Sequence, residues 1–159
     1  NREDLYKENK QDKITSEEYG LVFSRMGYQN APDWKYAIVD LNKDGQDELL
    51  IGDEKFVSAI YYLENQKPSL LHTAYIASAG GFRSGFVIYE NGLVSYADWQ
   101  STRPEMNLAL YSFDKNGVQK IKEATIQIGG NEKAEQVLDI SSEKLDLSNI
   151  DWKELNPTN

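Results

Sequence analysis

Apolar residues repeat along this chain with a helical period near the amino terminus and with strand-like periods after it. In residues 14–27, Thr15 and Glu18 have the spacing of a capping box, and apolar side chains then recur three and four residues apart up to Gly27. Glycine commonly ends a helix. The pattern predicts a helix over residues 14–27, preceded by a loosely held polar segment, residues 1–13.

Beyond Pro32 the apolar residues form runs of strand length, separated by residues that favour turns. Asn91-Gly92 is typical of a two-residue hairpin, Lys115-Asn116-Gly117 is similar, and Glu64–Ser69 suggests a looser turn around Pro68. The predicted strands are Tyr36–Asp40, Glu48–Gly52, Val57–Glu64, Leu70–Ala77, Gly85–Glu90, Leu93–Asp98, Asn107–Phe113 and Val118–Ile128.

These elements predict an α+β fold in which the N-terminal helix packs on a mostly antiparallel meander of β-hairpins. The meander covers residues 36–128, and its turns are too short for helical crossovers. Residues 129–159 form a mixed carboxy-terminal segment, with a short helix at Asn131–Leu138 and a tail that returns Trp152 to the core. At 159 residues and without an evident linker, the chain is predicted to be one domain, residues 1–159.

Residues 40–48 carry the one spacing in the chain that predicts a specific chemistry. Oxygen-bearing side chains alternate, a glycine permits the chain to reverse, and a carboxylate follows at the ninth position. An all-oxygen shell of this kind suits a hard cation, and calcium is the natural occupant. The other interpretation is an acidic turn between two strands, since the same residue types favour turns. The expected calcium ligands are Asp40, Asn42, Asp44, the backbone carbonyl of Gln46, and Glu48 directly or through a water.

In this form the segment Asp40–Gly52 resembles the calcium loop of FG-GAP repeats, the Asp-x-Asn-x-Asp-Gly-x-Asp-Asp-Leu pattern of integrin-type propeller blades. This chain has Glu48 where that pattern has Asp, and it carries a single copy, too few for a propeller. An EF-hand is not indicated, because Ile51 stands where the closing Glu of an EF-hand would be and strand-like runs flank the loop.

The order of a helix, a strand–acidic loop–strand unit and hairpins also resembles a group of uncharacterised secreted proteins and lipoproteins of Gram-positive bacteria. The resemblance spans residues 15–128 and includes the Glu-Leu-Leu-Ile-Gly run at Glu48–Gly52. It implies a calcium-stabilised protein that is extracellular or anchored at the cell surface, with its signal or lipid-anchor segment removed. It implies no particular activity.

Composition narrows the choice of partners. The formal net charge is −9, from 26 acidic against 17 basic residues, which disfavours nucleic acid and anionic membranes. The sequence contains no apolar run long enough to span a bilayer. With no cysteine in the chain, disulfides and thiol catalysis are excluded.

Candidate catalytic groups are few. His72 is the only histidine and stands in an apolar strand, where a structural role is the simpler interpretation. The glycine-rich segment Ser78–Gly85 lacks the Lys-Ser/Thr ending of a phosphate loop, and its Arg83 can bind an anion or simply pair with a carboxylate. We therefore predict a non-enzymatic protein. The alternative is a carbohydrate-active or other hydrolase using acidic residues such as Asp98 and Glu105.

Aromatic residues on neighbouring hairpins suggest a ligand surface. Flat aromatic faces with polar neighbours bind sugars or peptides, although alternate strand positions must face the interior. The predicted surface consists of Tyr89, Tyr96, Trp99, Arg103 and Tyr111. With calcium in a structural role, these features predict a cell-surface binding or accessory module for a glycan, peptide or protein ligand.

Overall fold

The computed structural model describes residues 35–54, 57–76, 81–100 and 102–155. The helical elements in this part are α1 (Ala134–Val137) and a 3-10 turn (Leu147–Asn149). The strands are β1 (Lys35–Val39), β2 (Glu48–Gly52), β3 (Val57–Glu64), β4 (Lys67–Thr73), β5 (Tyr75–Ile76), β6 (Phe82–Ile88), β7 (Val94–Gln100), β8 (Glu105–Asp114), β9 (Gly117–Gln127) and β10 (Lys153–Glu154).

The strands form two antiparallel sheets of five strands each. Sheet A has the order β10-β1-β2-β3-β4, and sheet B has the order β5-β6-β7-β8-β9. Neighbours in each sheet are consecutive in the chain, except that β10 returns from the carboxy-terminal region to pair with β1. The predicted antiparallel arrangement is confirmed. The meander is nevertheless divided into two sheets, between β4 and β5.

The predicted α+β class is wrong, because the part of the chain that the structure describes is mostly β, 57% strand and 6% helical. The helical part amounts to the single turn of α1 and the 3-10 turn. Each sheet buries one face against the other sheet, so the core between them is built without a helix.

The predicted helix over residues 14–27 and the polar segment 1–13 lie outside the described residues. Among the described helices, none has the length and apolar character that a membrane crossing requires.

The core lies between the two sheets. Ala37, Leu50 and Ile60 stand side by side on β1, β2 and β3, and each has no measurable exposure to solvent. They pack in one cluster with Val94 and Phe113 of sheet B. Burial of each large aliphatic side chain contributes roughly 1.5–3 kcal/mol, so this shared cluster holds the sheets together.

The opposite face of sheet B is covered by the carboxy-terminal segment. Leu108, Leu110 and Ile126 are buried there against Leu138, which follows α1 and is 1% exposed. The chain then runs through the 3-10 turn, and the half-buried Trp152 packs against the core between the sheets.

The β3–β4 hairpin is tighter than the sequence predicts. Its two turn residues, Asn65 and Gln66, have φ of 50° and 65°, and two positive values are the mark of the type I′ turn. Pro68 therefore lies inside β4, opposite Leu63, instead of in the turn. The strand tolerates proline because β4 is the edge of sheet A, where a missing N–H interrupts no ladder.

Candidate functional site

The acidic loop, residues 40–47 between β1 and β2, is held against sheet B. Leu41 is buried in the core cluster between the sheets. The side-chain amide of Asn42 donates a hydrogen bond to the backbone carbonyl of Phe113 in β8, at 2.9 Å. Gly92, in the β6–β7 turn, lies so close that a methyl group on its Cα would stand 2.6 Å from Asn42 Cα. The loop is therefore part of the contact between the two sheets.

The three alternating side chains of the acidic loop turn back onto its own amides. The Asp40 carboxylate accepts hydrogen bonds from the N–H groups of Asp44 and Gly45, at 3.1 and 3.0 Å. Asn42 Oδ1 accepts from the Asp44 N–H at 3.0 Å, and Asp44 Oδ1 accepts from the Gln46 N–H at 2.9 Å. Four oxygens thus lie on the inside of the loop, at the positions that the sequence predicts for ligands.

Glu48 completes the acidic set from the first residue of β2. It is only 2% exposed, and its Oε2 accepts a hydrogen bond from the Leu41 N–H at 2.8 Å. Burial raises the pKa of this carboxyl to about 7, the Leu41 hydrogen bond opposes the rise, and the nearby carboxylates of Asp44, Asp40 and Asp47 add to it. A cation in the loop would offset this mutual repulsion.

The donor set fits calcium by type, and its side chains need to move to bind. Within the residues that the structure describes, no group of three or more carboxylate, imidazole or thiol side chains is arranged to hold a metal ion. The carboxylates are instead engaged by loop amides, so a cation would have to draw them toward one centre. Oxygen from Asp40, Asp44 and Glu48, with the amide oxygen of Asn42 and a backbone carbonyl, is the shell that calcium prefers. Asp47 is exposed and out of phase with this set.

The five residues predicted as one ligand surface do not lie on one surface. Tyr89 is 1% exposed, and its hydroxyl shares a hydrogen bond with Ser95 Oγ at 3.1 Å. Tyr96 and Tyr111 point to the face of sheet B that meets sheet A, whereas Trp99, three residues after Tyr96 on the same strand, points to the opposite face. Arg103 is exposed in the connection from β7 to β8.

Tyr96 and Tyr111 are brought together by His72 of β4. The imidazole stacks on the Tyr96 ring with a centroid distance of 4.6 Å, and it meets Tyr111 edge to face at 4.7 Å. Its Nε2 is buried and has no hydrogen-bond partner among the described residues, and burial lowers the pKa of the ring to about 4. At neutral pH the His72 ring is therefore uncharged, and it packs between the two sheets.

A polar groove of about 500 Å³ extends from the two tyrosines across sheet B. Asp98, Asn107 and Thr125 lie side by side in it, in register on β7, β8 and β9. Asn107 Nδ2 donates to Asp98 Oδ1 at 3.0 Å, and the Thr125 hydroxyl donates to Asn107 Oδ1 at 3.3 Å. The sequence does not predict this row, because its members come from three strands and meet only through their cross-strand register.

Comparison of the chain with protein-family models, with curated proteins and with solved structures gave no match. The residues of the acidic loop and of the polar groove are thus the basis for assigning a function.

Proposed function

We propose that this chain is a non-enzymatic, extracytoplasmic binding or accessory module in which calcium, bound by the acidic loop, has a structural role. The observation that carries the proposal is the inward arrangement of the Asp40, Asn42 and Asp44 oxygens beside the buried carboxylate of Glu48. An acidic turn without a ligand has no need to bury a carboxylate among three others, since each charge is best solvated separately.

The place of the loop in the fold explains what bound calcium would do. Asn42 is both a proposed ligand and the donor of the hydrogen bond to Phe113, so a cation that fixes Asn42 also fixes the loop on sheet B. The cation would screen the like charges that oppose closure of the loop. Calcium would in this way strengthen the junction of the two sheets.

The expected affinity supports an extracytoplasmic location. Without the bidentate Glu that closes an EF-hand, the loop belongs with the weaker extracellular sites, with dissociation constants of roughly 10⁻⁴–10⁻³ M. Such a site fills only where calcium is millimolar. The net charge of −9 agrees with a partner other than nucleic acid.

Calcium is expected to raise the melting temperature of the full chain by roughly 3–6 °C. At a calcium concentration about tenfold above the dissociation constant, mass action adds ~1.4 kcal/mol to the free energy of unfolding. Thermal unfolding in calcium and in chelator measures the shift, and titration calorimetry measures the binding heat. An unchanged melting temperature together with no calcium heat would remove the metal from the proposal.

Two isosteric substitutions of equal charge identify the ligands. Asp44→Asn is expected to abolish most of the calcium-dependent shift, whereas Asp47→Asn, on the exposed neighbour outside the ligand set, is expected to preserve it. Both remove one negative charge, so a general change in the field of the loop affects them alike. Equal loss of the shift in both variants would assign calcium to diffuse charge attraction instead of to a defined shell.

The proposed location has its own test in the gene. We expect the reading frame upstream of Asn1 to encode a secretory signal peptide or a lipid-anchor cysteine. A cytoplasmic start immediately upstream would contradict the location while leaving the calcium measurements unaffected.

A further inference from the structure

We propose that the polar groove on sheet B binds a neutral oligosaccharide. Tyr96 and Tyr111 form its aromatic wall, and Asp98, Asn107 and Thr125 form its hydrogen-bonding floor. The volume of about 500 Å³ falls within the range of small-molecule sites, roughly 300–1,000 Å³.

The floor matches the chemistry of sugar hydroxyls. A hydroxyl group donates one hydrogen bond and accepts others, so neighbouring hydroxyls are best met by an acceptor beside a donor. Asp98 supplies carboxylate oxygens, of which Oδ1 receives the Asn107 amide, and Asn107 and Thr125 supply both donors and acceptors. Because the three side chains bond to one another, they are held in place before a ligand arrives. This preorganisation lowers the ordering cost of binding.

The charges of the groove select against anions. Lys120 is the one cation among the described residues that line it, and it is already paired with the Glu123 carboxylate on the same strand. With Asp98 on the floor, the groove has no uncompensated positive charge to receive a phosphate, sulfate or carboxylate. A neutral polyhydroxylated ligand avoids this repulsion.

The aromatic wall is rigid. His72 is stacked on Tyr96 and in edge contact with Tyr111, so both rings are fixed by the packing between the sheets. Fixed aromatic rings at the border of a polar floor suit a sugar, whose ring has one apolar C–H surface and a polar edge. Such rings also lose little side-chain entropy on binding.

The polar groove and the acidic loop are separate sites on the molecule. The groove lies on β7, β8 and β9, whereas the loop joins β1 to β2 and reaches sheet B at Phe113 and Gly92. Sugar binding measured in chelator therefore tests the groove independently of whether calcium binds.

The test uses amide NMR of the full chain, titrated with three neutral probes: maltotetraose, cellotetraose and mannotetraose. The expected result is saturable binding of at least one probe below about 10 mM, with the shifted amides concentrated on β7, β8 and β9. Parallel titrations with inorganic phosphate and with an unrelated acidic peptide are expected to leave these amides unmoved.

Substitutions on the floor decide whether the groove is the site. Asp98→Asn and Thr125→Val keep the side-chain shape and are each expected to weaken binding about tenfold or more, because each leaves a ligand hydroxyl without its partner. The matched control is Asp151→Asn, on an exposed aspartate outside the groove, which is expected to bind as the unaltered chain does. Failure of all three probes to saturate, binding unchanged in both floor variants, or tighter binding of phosphate or the acidic peptide would each overturn the proposal.

Discussion

Replacement of Gly92 by alanine is expected to lower the free energy of unfolding by roughly 3 kcal/mol or more. Two effects combine at this turn residue. Its φ is +80°, a left-handed conformation that costs an L-residue about 1–2 kcal/mol. An added Cβ would also stand 2.6 Å from Asn42 Cα and 2.9 Å from the Leu41 carbonyl oxygen, and both are backbone atoms that no side-chain rotation can move away. The acidic loop and the β6–β7 turn would have to separate.

Gly129→Ala is the matched control for this substitution. Gly129 has nearly the same φ, +78°, but an added Cβ there meets nothing within 4 Å. The decrease in the free energy of unfolding of Gly129→Ala is expected to be only the cost of the left-handed conformation, about 1–2 kcal/mol. Urea unfolding of both variants in chelator measures the difference without any contribution from calcium. If the two substitutions cost the same, the acidic loop does not clash with a methyl group at residue 92, and the steric part of the prediction is wrong.

The second large effect is a dependence of stability on pH caused by His72. Burial lowers the pKa of the His72 imidazole in the folded protein to about 4, whereas in the unfolded chain the same ring titrates near its ordinary pKa of 6.5. Above about pH 6.5 the ring is neutral in both states, so His72 causes no change of stability with pH there. Between 6.5 and 4 only the unfolded chain takes up the proton. The contribution of His72 to stability should therefore fall by about 1.4 kcal/mol per pH unit as the pH drops, to a total of roughly 3 kcal/mol, while protonation of the buried Glu48 in the folded state acts in the opposite direction.

His72→Phe isolates this contribution. The variant retains an aromatic ring against Tyr96 and Tyr111 and cannot bind a proton. Carboxylates elsewhere titrate in both proteins, so the difference between the two pH profiles reports on the histidine alone. Between pH 6.5 and 4 the free energy of unfolding of the variant is expected to fall less than that of the unaltered chain, by up to roughly 3 kcal/mol. His72→Gln, which is smaller, serves as the second variant if phenylalanine overfills the site. Parallel profiles for all three proteins would show that the buried imidazole is not the source.

The strands were predictable because each is a short apolar run closed by turn residues. The bounds of β2 and β3 coincide with the predicted ones, and those of β1 and of β6 to β9 differ by a few residues at their ends. The single predicted strand Leu70–Ala77 is wrong, because the chain there divides into β4 and β5 of different sheets, and β10 was not predicted. Pro68 misled the interpretation of one turn, since proline within a strand is permitted only at a sheet edge, and edge position is a property of the assembled sheet.

The fold class was not predictable in the same way. An apolar sheet face must be covered, but the sequence of that face does not state whether a helix or another sheet covers it. Here Ile60 of sheet A and Val94 of sheet B belong to one core cluster between the two sheets. The division occurs after β4, where the chain passes to β5 with Ala74 alone between the strands, and no composition change marks that point.

The candidate ligand surface shows which side-chain positions can be predicted from the alternation of residues along a strand. Trp99 stands three positions after Tyr96, so one strand must place the two side chains on opposite faces, and this follows from the sequence once the strand reaches Gln100. Side-chain alternation alone does not predict the row of Asp98, Asn107 and Thr125. Only the cross-strand register of β7, β8 and β9 brings those side chains together. The turn of the Asp40, Asn42 and Asp44 side chains onto the amides of the acidic loop needs no long-range pairing, so it follows from the local spacing of these residues.

The return of β10 to β1 has a kinetic consequence. Most strand pairs form between neighbours in the chain, so each hairpin can close quickly over a short loop. The pairing of Lys35 with Glu154 instead joins the first and last strands of the described chain. Its loop-closure entropy is the largest of any pairing in the two sheets, and such contacts slow folding. During synthesis, β1 would lack its pairing with β10 until Lys153 and Glu154 have left the ribosome.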